Sequence, residues 1–513
     1  MSDRQWENMS DTDFEAMLES TVSELPPEDI VAEVTPWKKS INRVLIGMAL
    51  NTITFNFLCL NYILPAIGTI LLLLGFRTLR RENRWFGACF VLAIIRAAHL
   101  FPSLILNTTI IHSTVNASDI SYALTVANFL LLFIEYICLW RGFIAAQRKA
   151  GVPPHAGGVA ALLVWYAIMC LLALIQYSGL IIAGIMIVGY IFIIRSLYKL
   201  SKELDEAGYA ITTAPVKITD RCIVISLAAI LLIGCACGYV FGGSYPMEWS
   251  ALDTAEHDEV EDIKAHLIDL GFPEYVLNDL SAEDIAACDG ALRVFVNVTD
   301  EPVNNGRVVT QETEVDGIKY LVQDTVIDVK ELRITGVGVQ VPGDRERWII
   351  FHHFLWTTDP GFYGTESIQL WPVYRDLSEG WHSAGDVTGR VLYDDGGETF
   401  VADYYSLGAR NFTSDTIFWG EQSRTDVFAE FSMPHNGQNH RGYVAYSVDE
   451  VEDGYMIISW FNYTHQQSWM QYPAVTATEN IMSNFWDDNV AFKTIQNDLH
   501  FYPTDEGIEE SIS

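Results

Sequence analysis

The second half of this sequence has almost no cysteine. Cys288 is the only cysteine after residue 245, and the other seven lie in or beside apolar segments of the first half. One thiol cannot form a disulfide within its own domain, nor can it supply the thiolate ligands of a structural zinc site. We therefore expect the second half to fold around a hydrophobic core alone, for which about 270 residues are sufficient.

Catalytic and phosphate-binding motifs are missing too. The sequence contains no Gly-x-Ser-x-Gly, no phosphate-binding glycine-rich loop and no zinc-protease signature. No enzyme class is favoured by a motif. A membrane-anchored hydrolase of envelope polymers, with two carboxylates as acid and base, remains an alternative because Asp and Glu are abundant.

Basic residues are scarce in the second half. Residues 1–244 hold 17 Lys and Arg with 17 Asp and Glu, whereas residues 245–513 hold 14 with 48, so the net charge of −34 belongs to the second half. A surface this acidic repels nucleic acid and anionic lipid. Nucleic acid is excluded as a partner, and the acidity suits solvation, a cation or a basic partner.

Long apolar runs, by contrast, fill the first half and predict an α-helical membrane bundle. The mean hydropathy is +0.18, and a membrane-crossing helix needs about 20 apolar residues. The first run is divided into two short spans because basic residues flank it on both sides. We predict seven spans, near 44–60, 61–76, 85–106, 121–143, 157–176, 180–194 and 222–242.

The basic residues of the first half form three clusters that predict the orientation of the chain. They lie around the first pair of spans, at residues 141–149 and at residues 195–221. Lys and Arg are retained on the cytoplasmic side. We therefore predict a multi-pass plasma-membrane protein with a cytoplasmic N-terminus, an acidic and largely disordered tail at 1–36, and an extracytoplasmic second half.

Four polar residues fall inside the predicted spans of the bundle at 37–244. On two antiparallel spans, His99 and Asn128 come at equal depth, and Arg96 lies about 6 Å in depth from Glu135, within reach of its side chain. Charged groups are costly in lipid and should face each other or water. This predicts a polar cluster that serves as an ion or proton path, as a ligand pocket, or as an ion pair that fixes helix packing.

Strand patterns dominate the extracytoplasmic half. Residues 245–290 predict a small helical cluster, residues 291–503 contain about ten segments rich in β-branched and aromatic residues, and residues 504–513 form an acidic tail. Turn signals such as the "DDGG" at 394–397 separate the segments. We predict an all-β antiparallel sandwich or jelly-roll-like domain.

Ligand-binding candidates in this half are tryptophans and a few metal-ligand residues. Aromatic faces can stack on sugars or peptides, although tryptophan also fills cores; the stacking candidates are Trp356, Trp371, Trp381, Trp419 and Trp469. Carboxylates and loop histidines can bind a metal, with calcium as the one cofactor to consider; the weak candidates are Asp394, Asp395, Glu398, His435 and His440.

These patterns favour a binding or sensing protein over an enzyme. A membrane bundle would present the acidic β domain to a surface ligand such as a glycan, peptide or protein, and scarce exported cysteine suits a bacterial cell envelope. The alternatives are a transporter or channel-like bundle that uses the intramembrane polar residues, and the hydrolase named above.

Overall fold

The computed structural model describes residues 34–53, 57–175, 179–212, 217–253, 255–315, 318–361, 364–371, 380–416, 420–452, 454–469, 471–483, 490–504 and 507–509. The described chain forms two compact units. The first takes in residues up to 106 and from 113 to 236, and the second takes in residues 107–112 and everything from 237 onward.

The first unit is helical. Two short strands, β1 (Val34–Pro36) and β2 (Ala210–Thr212), pair antiparallel beside the helices. The helices through residue 242 are α1 (Trp37–Thr52), α2 (Leu60–Leu79), α3 (Arg84–Leu106), α4 (Ile111–Asn116), α5 (Asp119–Lys149), α6 (Gly157–Leu174), α7 (Leu180–Glu206) and α8 (Asp220–Gly242).

Six of these helices, α2, α3, α5, α6, α7 and α8, are long and apolar enough to cross a membrane. The first predicted span, 44–60, differs from the structure. Its helix begins earlier, at Trp37, and already ends at Thr52 after 16 residues. At 1.5 Å per residue such a helix is about 24 Å long, shorter than a hydrocarbon core of about 30 Å. The described residues thus contain six candidate spans, and the first of the seven predicted spans stays a prediction.

Glycines allow α1 and α2 to pack closely as a hairpin. A Cβ atom added to Gly47 would lie 2.7 Å from the backbone oxygen of Gly68, and one added to Gly75 would lie 2.6 Å from Cγ2 of Val44. Side chains at these positions would push the helices apart, as at other close helix crossings in membranes. Small residues therefore permit close packing of α1 and α2, the two helices that the first apolar run forms.

The second unit is an antiparallel β-sheet domain with a small helical cluster. The helices of the cluster are α9 (Glu261–Asp269), α10 (Glu274–Leu277) and α11 (Ala282–Ala286), and α12 (Ala477–Met482) follows later. The strands are β3 (Ser250–Ala251), β4 (Arg293–Pro302), β5 (Arg307–Val315), β6 (Ile318–Ile327), β7 (Glu331–Val341), β8 (Arg347–Trp356), β9 (Glu366–Trp371), β10 (Trp381–Asp395), β11 (Glu398–Asp403), β12 (Ser406–Thr416), β13 (Gly420–Phe431), β14 (Gln438–Glu450), β15 (Ile457–Gln466), β16 (Phe492–Thr504) and β17 (Gly507–Glu509).

Two sheets share one hydrophobic core. The first has the order β3-β11-β10-β14-β8-β7-β4 and the second the order β12-β13-β9-β15-β16-β17, while β5 and β6 pair as a separate hairpin. Ile350 and Phe354 of the first sheet and Phe461 and Leu499 of the second belong to a single buried cluster. Alternation along each strand supplies the apolar side chains of this core.

The helical cluster covers the other face of the first sheet. Leu267 and Val276 of the cluster are fully buried and belong to one apolar group with Val339 and Phe351 of the sheet. This sheet is therefore buried on both faces. Nearly all residues of strands β7 and β8 are accordingly buried, instead of every second one.

Adjacent histidines on β8 show the two faces directly. His352 Nε2 lies 2.6 Å from Ser459 Oγ on the second sheet, whereas His353 Nε2 lies 2.8 Å from Asp279 Oδ2 in the helical cluster. Successive strand residues point to opposite faces. The two rings therefore cannot bind one ion, and each serves a different layer.

We expect the unfolding free energy of the second unit to fall as the pH drops below about 6.5, because His352 stays neutral when folded. Burial lowers the pKa of His352 to about 3, while an unfolded histidine takes up a proton near pH 6.5. The stability is fully present above the unfolded pKa and falls by about 1.4 kcal/mol per pH unit down to the folded pKa.

Urea unfolding of the full chain in detergent, followed by tryptophan fluorescence between pH 7 and pH 4.5, measures this loss. His352→Gln should flatten the acid dependence, and His500→Gln, at a less buried position of β16, should leave it unchanged. An equal slope in wild type and His352→Gln would contradict the assignment.

Candidate functional site

A buried ion pair lies among the helices of the first unit. Arg96 Nη1 of α3 donates to Glu135 Oε2 of α5 at 2.9 Å. The Glu135 side chain is 3% exposed and that of Arg96 is 21% exposed. Asn51 Oδ1 of α1 accepts from Arg96 Nη2 at 3.5 Å and from Thr69 Oγ1 at 3.2 Å. Three helices thus supply partners to the guanidinium and to the carboxylate.

The other two predicted intramembrane residues form a separate pair. The amide nitrogen of Asn128 lies 3.2 Å from each ring nitrogen of His99. His99 is exposed on α3 and Asn128 is half-buried on α5. The structure therefore places the four predicted residues in two contacts, of which only the Arg96–Glu135 contact is buried.

Ion pairs gather the basic segments at one end of the first unit. Arg43 and Arg77 both donate to Asp220, at 2.7 and 3.1 Å. Lys149 Nζ lies 2.5 Å from Glu82 Oε1. These residues belong to or adjoin the three basic clusters of the sequence, so all three clusters lie at the same end of the helices.

The second unit contains a cavity of about 280 Å³. Its lining comes from six parts of the chain: the segment at 107–112, the last residues of α8 with the two that follow, Gly364 before β9, His435 between β13 and β14, strand β15, and the segment after β15. The residues are mostly apolar or uncharged and include Ile110, Tyr239, Val240, His435, Gln466, Trp469, Gln471, Ala474 and Val475.

Hydrogen bonds of the backbone and of two glutamine side chains connect these segments. Ile110 N donates to Gly242 O at 2.8 Å, and Ala474 N donates to Asn107 O at 2.7 Å. Gln466 Oε1 accepts from Thr365 N at 2.8 Å, and the Gln471 amide donates to Val475 O at 2.8 Å. The walls are therefore held together by contacts within the unit.

Two aromatic rings form one corner of the cavity. The ring centroids of Tyr239 and Trp469 lie 5.3 Å apart at an interplanar angle of 74°. Tyr239 Oη donates to Gln471 O, which orients the phenol, and the Trp469 side chain is 51% exposed. Trp469 is the stacking candidate that the structure places on a cavity wall.

The remaining stacking candidates differ in their surroundings. Trp356 is 2% exposed and its indole donates to Tyr463 Oη at 3.1 Å, so it is a core residue and has no free face for a ligand. Trp381 packs against the same core and donates to Tyr455 O at 3.0 Å. Trp419 and the side chain of Trp371 lie outside the described part of the chain.

The metal-ligand candidates lie in two places. His435 lines the cavity, whereas His440 is buried and its ring stacks on Tyr393 at a centroid distance of 5.9 Å. Asp395 and Glu398 are opposite each other across the turn between β10 and β11. Within the described residues no three His, Cys, Asp or Glu side chains are grouped so that they could hold a metal ion. Calcium binding stays a prediction.

Asp394 is engaged in hydrogen bonds of the protein itself. It accepts from Arg441 Nη1, Thr399 Oγ1 and the Asn439 amide, each at 2.9 Å. Burial acts to raise the pKa of Asp394, but the hydrogen bonds from Asn439 and Arg441 and the charge of Arg441 hold it below its ordinary value. Its carboxylate thus links the β10–β11 turn to β14.

Sequence reasoning did not single out Tyr239, Gln466 or the loop at 107–112. A signal existed for Tyr239, because aromatic residues near the end of a span mark the membrane–water interface. Nothing in the sequence indicates that the loop after α3 lies on the same wall as Ala474. Only the folded chain brings those segments together.

The fold defines the class of protein: membrane-span-like helices followed by an antiparallel β-sheet domain, which contains a cavity of about 280 Å³. No family model and no curated protein matches the chain. A solved structure described as "Pore forming protein" aligns with 38% of this chain and 95% of its own length, at 8% identity and a TM-score of 0.16. A similarity of that size carries no argument about the function.

Proposed function

We propose that this protein is a polytopic membrane protein whose β-sandwich domain lies on the extracytoplasmic face and binds or senses a small ligand. The observation that carries the proposal is the cavity of about 280 Å³ with its aromatic corner. Binding sites are typically concave and mostly apolar, with a few polar groups that fix orientation. The walls of this cavity have that composition.

The orientation is supported by the ion pairs at the basic end of the helices. Arg43 and Arg77 meet Asp220 at the start of α8, and basic clusters stay in the cytoplasm. Helix α8 begins at that end and would cross the membrane once. The cavity, at its other end, would therefore lie at the outer surface. A reporter that is active only outside the cytoplasm, fused after Ser513, tests this orientation.

Ligand binding is tested by identifying the small molecules that remain with the purified protein. We expect solvent extracts of the full chain to contain a compound that is lost from Ala474→Trp, since the indole would fill the cavity, and from Trp469→Ala, which removes one ring of the aromatic corner. Ala265→Trp, on the exposed surface of α9, is the matched control and should retain it. Mass spectrometry of the extracts gives the readout.

Two results would contradict the binding proposal. One is an extract of wild type identical to that of both cavity variants, and the other is equal loss from the Ala265→Trp control. Equal loss from the control would show that the compound is lost during purification and not because the cavity is changed. Ala474 is buried, so the circular dichroism and unfolding midpoint of its variant must first match those of wild type.

A second candidate function is ion or proton movement through the helical unit. The observation that favours it is the chain of contacts from Thr69 through Asn51 and Arg96 to the buried Glu135. Such chains of polar groups line ion and proton paths in membrane proteins. The same contacts also suit a purely structural ion pair, and substitutions of Arg96 and Glu135 distinguish the two functions.

A further inference from the structure

The aromatic corner has the chemistry of a cation site. The faces of the Tyr239 and Trp469 rings carry partial negative charge, and a cation within about 6 Å of a ring centroid is attracted to it. The two rings are close to perpendicular and both line the cavity. A cation held in this corner would face two rings at once, as in the aromatic cages that bind quaternary ammonium groups.

The two ring faces and the acidity of the second half favour a cation over an anion. The described lining residues include no Lys, Arg, Asp or Glu, so the negative faces of the Tyr239 and Trp469 rings are the features of the lining that attract a cation. Residues 245–513 carry 48 Asp and Glu with 14 Lys and Arg, and an acidic domain raises the local concentration of cations. The ligand should therefore bring positive charge to the rings.

The position of the cavity points to the bilayer as the source of that ligand. Tyr239 and Val240 belong to α8, a candidate span, and the neighbouring Phe241 is 83% exposed and Val240 71% exposed. A volume of about 280 Å³ lies just below the range of about 300–1,000 Å³ that is common for small-molecule pockets. It has room for a head group but not for a whole lipid, whose chains would lie along the exposed side chains of Val240 and Phe241.

We infer that the cavity binds the quaternary ammonium head group of a zwitterionic membrane lipid of the phosphatidylcholine type. The ammonium methyl groups contact the Tyr239 and Trp469 rings, and the phosphate stays at the solvent-facing mouth. The inference rests on the proposed function, which requires a ligand in the cavity but not this one.

Native mass spectrometry of the full chain in detergent, titrated with short-chain lipids, tests the inference. Phosphatidylcholine should bind about tenfold more tightly than phosphatidylglycerol of the same chain length, and Trp469→Ala should remove that preference. Trp469→Phe retains an aromatic face and should keep most of it. Ile187→Ala, at an exposed apolar position of α7, is the matched control and should bind like wild type.

Three results would overturn the inference. They are equal binding of the two lipids, an undiminished preference in Trp469→Ala, and binding of free choline as tight as that of phosphatidylcholine, which would make a soluble ammonium compound the ligand. Any of these together with a compound that is lost from Ala474→Trp would leave the proposed function standing. An unoccupied wild-type cavity in both experiments would remove the two proposals together.

Discussion

Asp279→Ala should destabilise the second unit by about 3–5 kcal/mol, because it breaks a buried charge network by removing one partner. The Asp279 side chain is 5% exposed. It accepts from Arg441 Nε at 2.8 and 3.0 Å through its two oxygens and lies 2.8 Å from His353 Nε2. Without the carboxylate, the largely buried guanidinium of Arg441 keeps Asp394 as its charged partner, with the Asn439 carbonyl as a neutral one, and His353 loses its hydrogen bond to Asp279.

The same substitution should loosen the helical cluster from the sheet. Asp279 lies in that cluster, and its backbone oxygen also accepts from Arg390 Nε at 2.9 Å. Arg390 in turn donates to Glu256 at 2.9 Å. Limited proteolysis of Asp279→Ala should therefore cut between residues 255 and 290 faster than in wild type, before the sheets unfold.

Urea unfolding of the full chain in detergent measures the loss of free energy. Asp269→Ala is the matched control, since Asp269 is an exposed acid of the same helical cluster, and it should change the stability by no more than about 0.5 kcal/mol. Asp279→Asn, which keeps an acceptor without the charge, should fall between the two. A loss in Asp279→Ala as small as in the control would contradict the buried network.

The second large effect is expected in the helical unit. Glu135→Leu should lower the stability by about 3–5 kcal/mol because Arg96 is left without its carboxylate inside the bundle. The double substitution Arg96→Leu with Glu135→Leu removes both charges. It should recover most of that loss, since replacing a whole buried ion pair by apolar residues is often neutral.

Thermal unfolding in detergent micelles compares the single and double variants. Glu206→Leu, at the exposed end of α7 where Glu206 pairs with Lys202 across one helical turn, is the matched control and should cost less than about 1 kcal/mol. If the double variant is no more stable than Glu135→Leu, the coupling between Arg96 and Glu135 assigned here is wrong.

The same variants distinguish a structural ion pair from an ion path. For a structural pair, liposomes that contain wild type or the double variant should dissipate an imposed pH gradient at the same rate as empty liposomes. For an ion path, wild type should dissipate the gradient faster, and the double variant should lose the activity while it remains folded. A pH-sensitive dye inside the liposomes reports the rate.

The spans show how far sequence reasoning reaches in this protein. Helices α3, α5 and α8 were predictable because about twenty apolar residues in a row have few folding options other than a membrane helix. The helices of the first apolar run, residues 44–76, were harder to predict, since the length of the run fits neither one span nor two. Its helix α1 ends at Thr52, and contacts of Gly47 and Gly68 across the hairpin, which depend on tertiary packing, decide how the two helices lie.

In the β domain the strands were predictable from the sequence, but the surroundings of individual side chains were not. Alternation and turn signals predicted antiparallel strands, since both are local properties of the chain. The burial of each tryptophan, by contrast, could not be predicted from its neighbours in the sequence. Trp356 is buried between the sheets and Trp469 lies on a cavity wall, although both follow strand patterns rich in aromatic residues, because burial depends on which strands become neighbours.

The membrane-span-like helices, the antiparallel strands and the unequal distribution of charge between the two halves could all be predicted from the order of the residues. Hydrophobic length, side-chain alternation and composition are properties of consecutive residues, so they can be read in order along the chain. The partners of Glu135 and Asp279, and the contacts of the segment at 107–112 with α8 and Ala474, could be identified only in the folded chain. Those contacts join residues far apart in the chain, and only close packing of the folded core selects them.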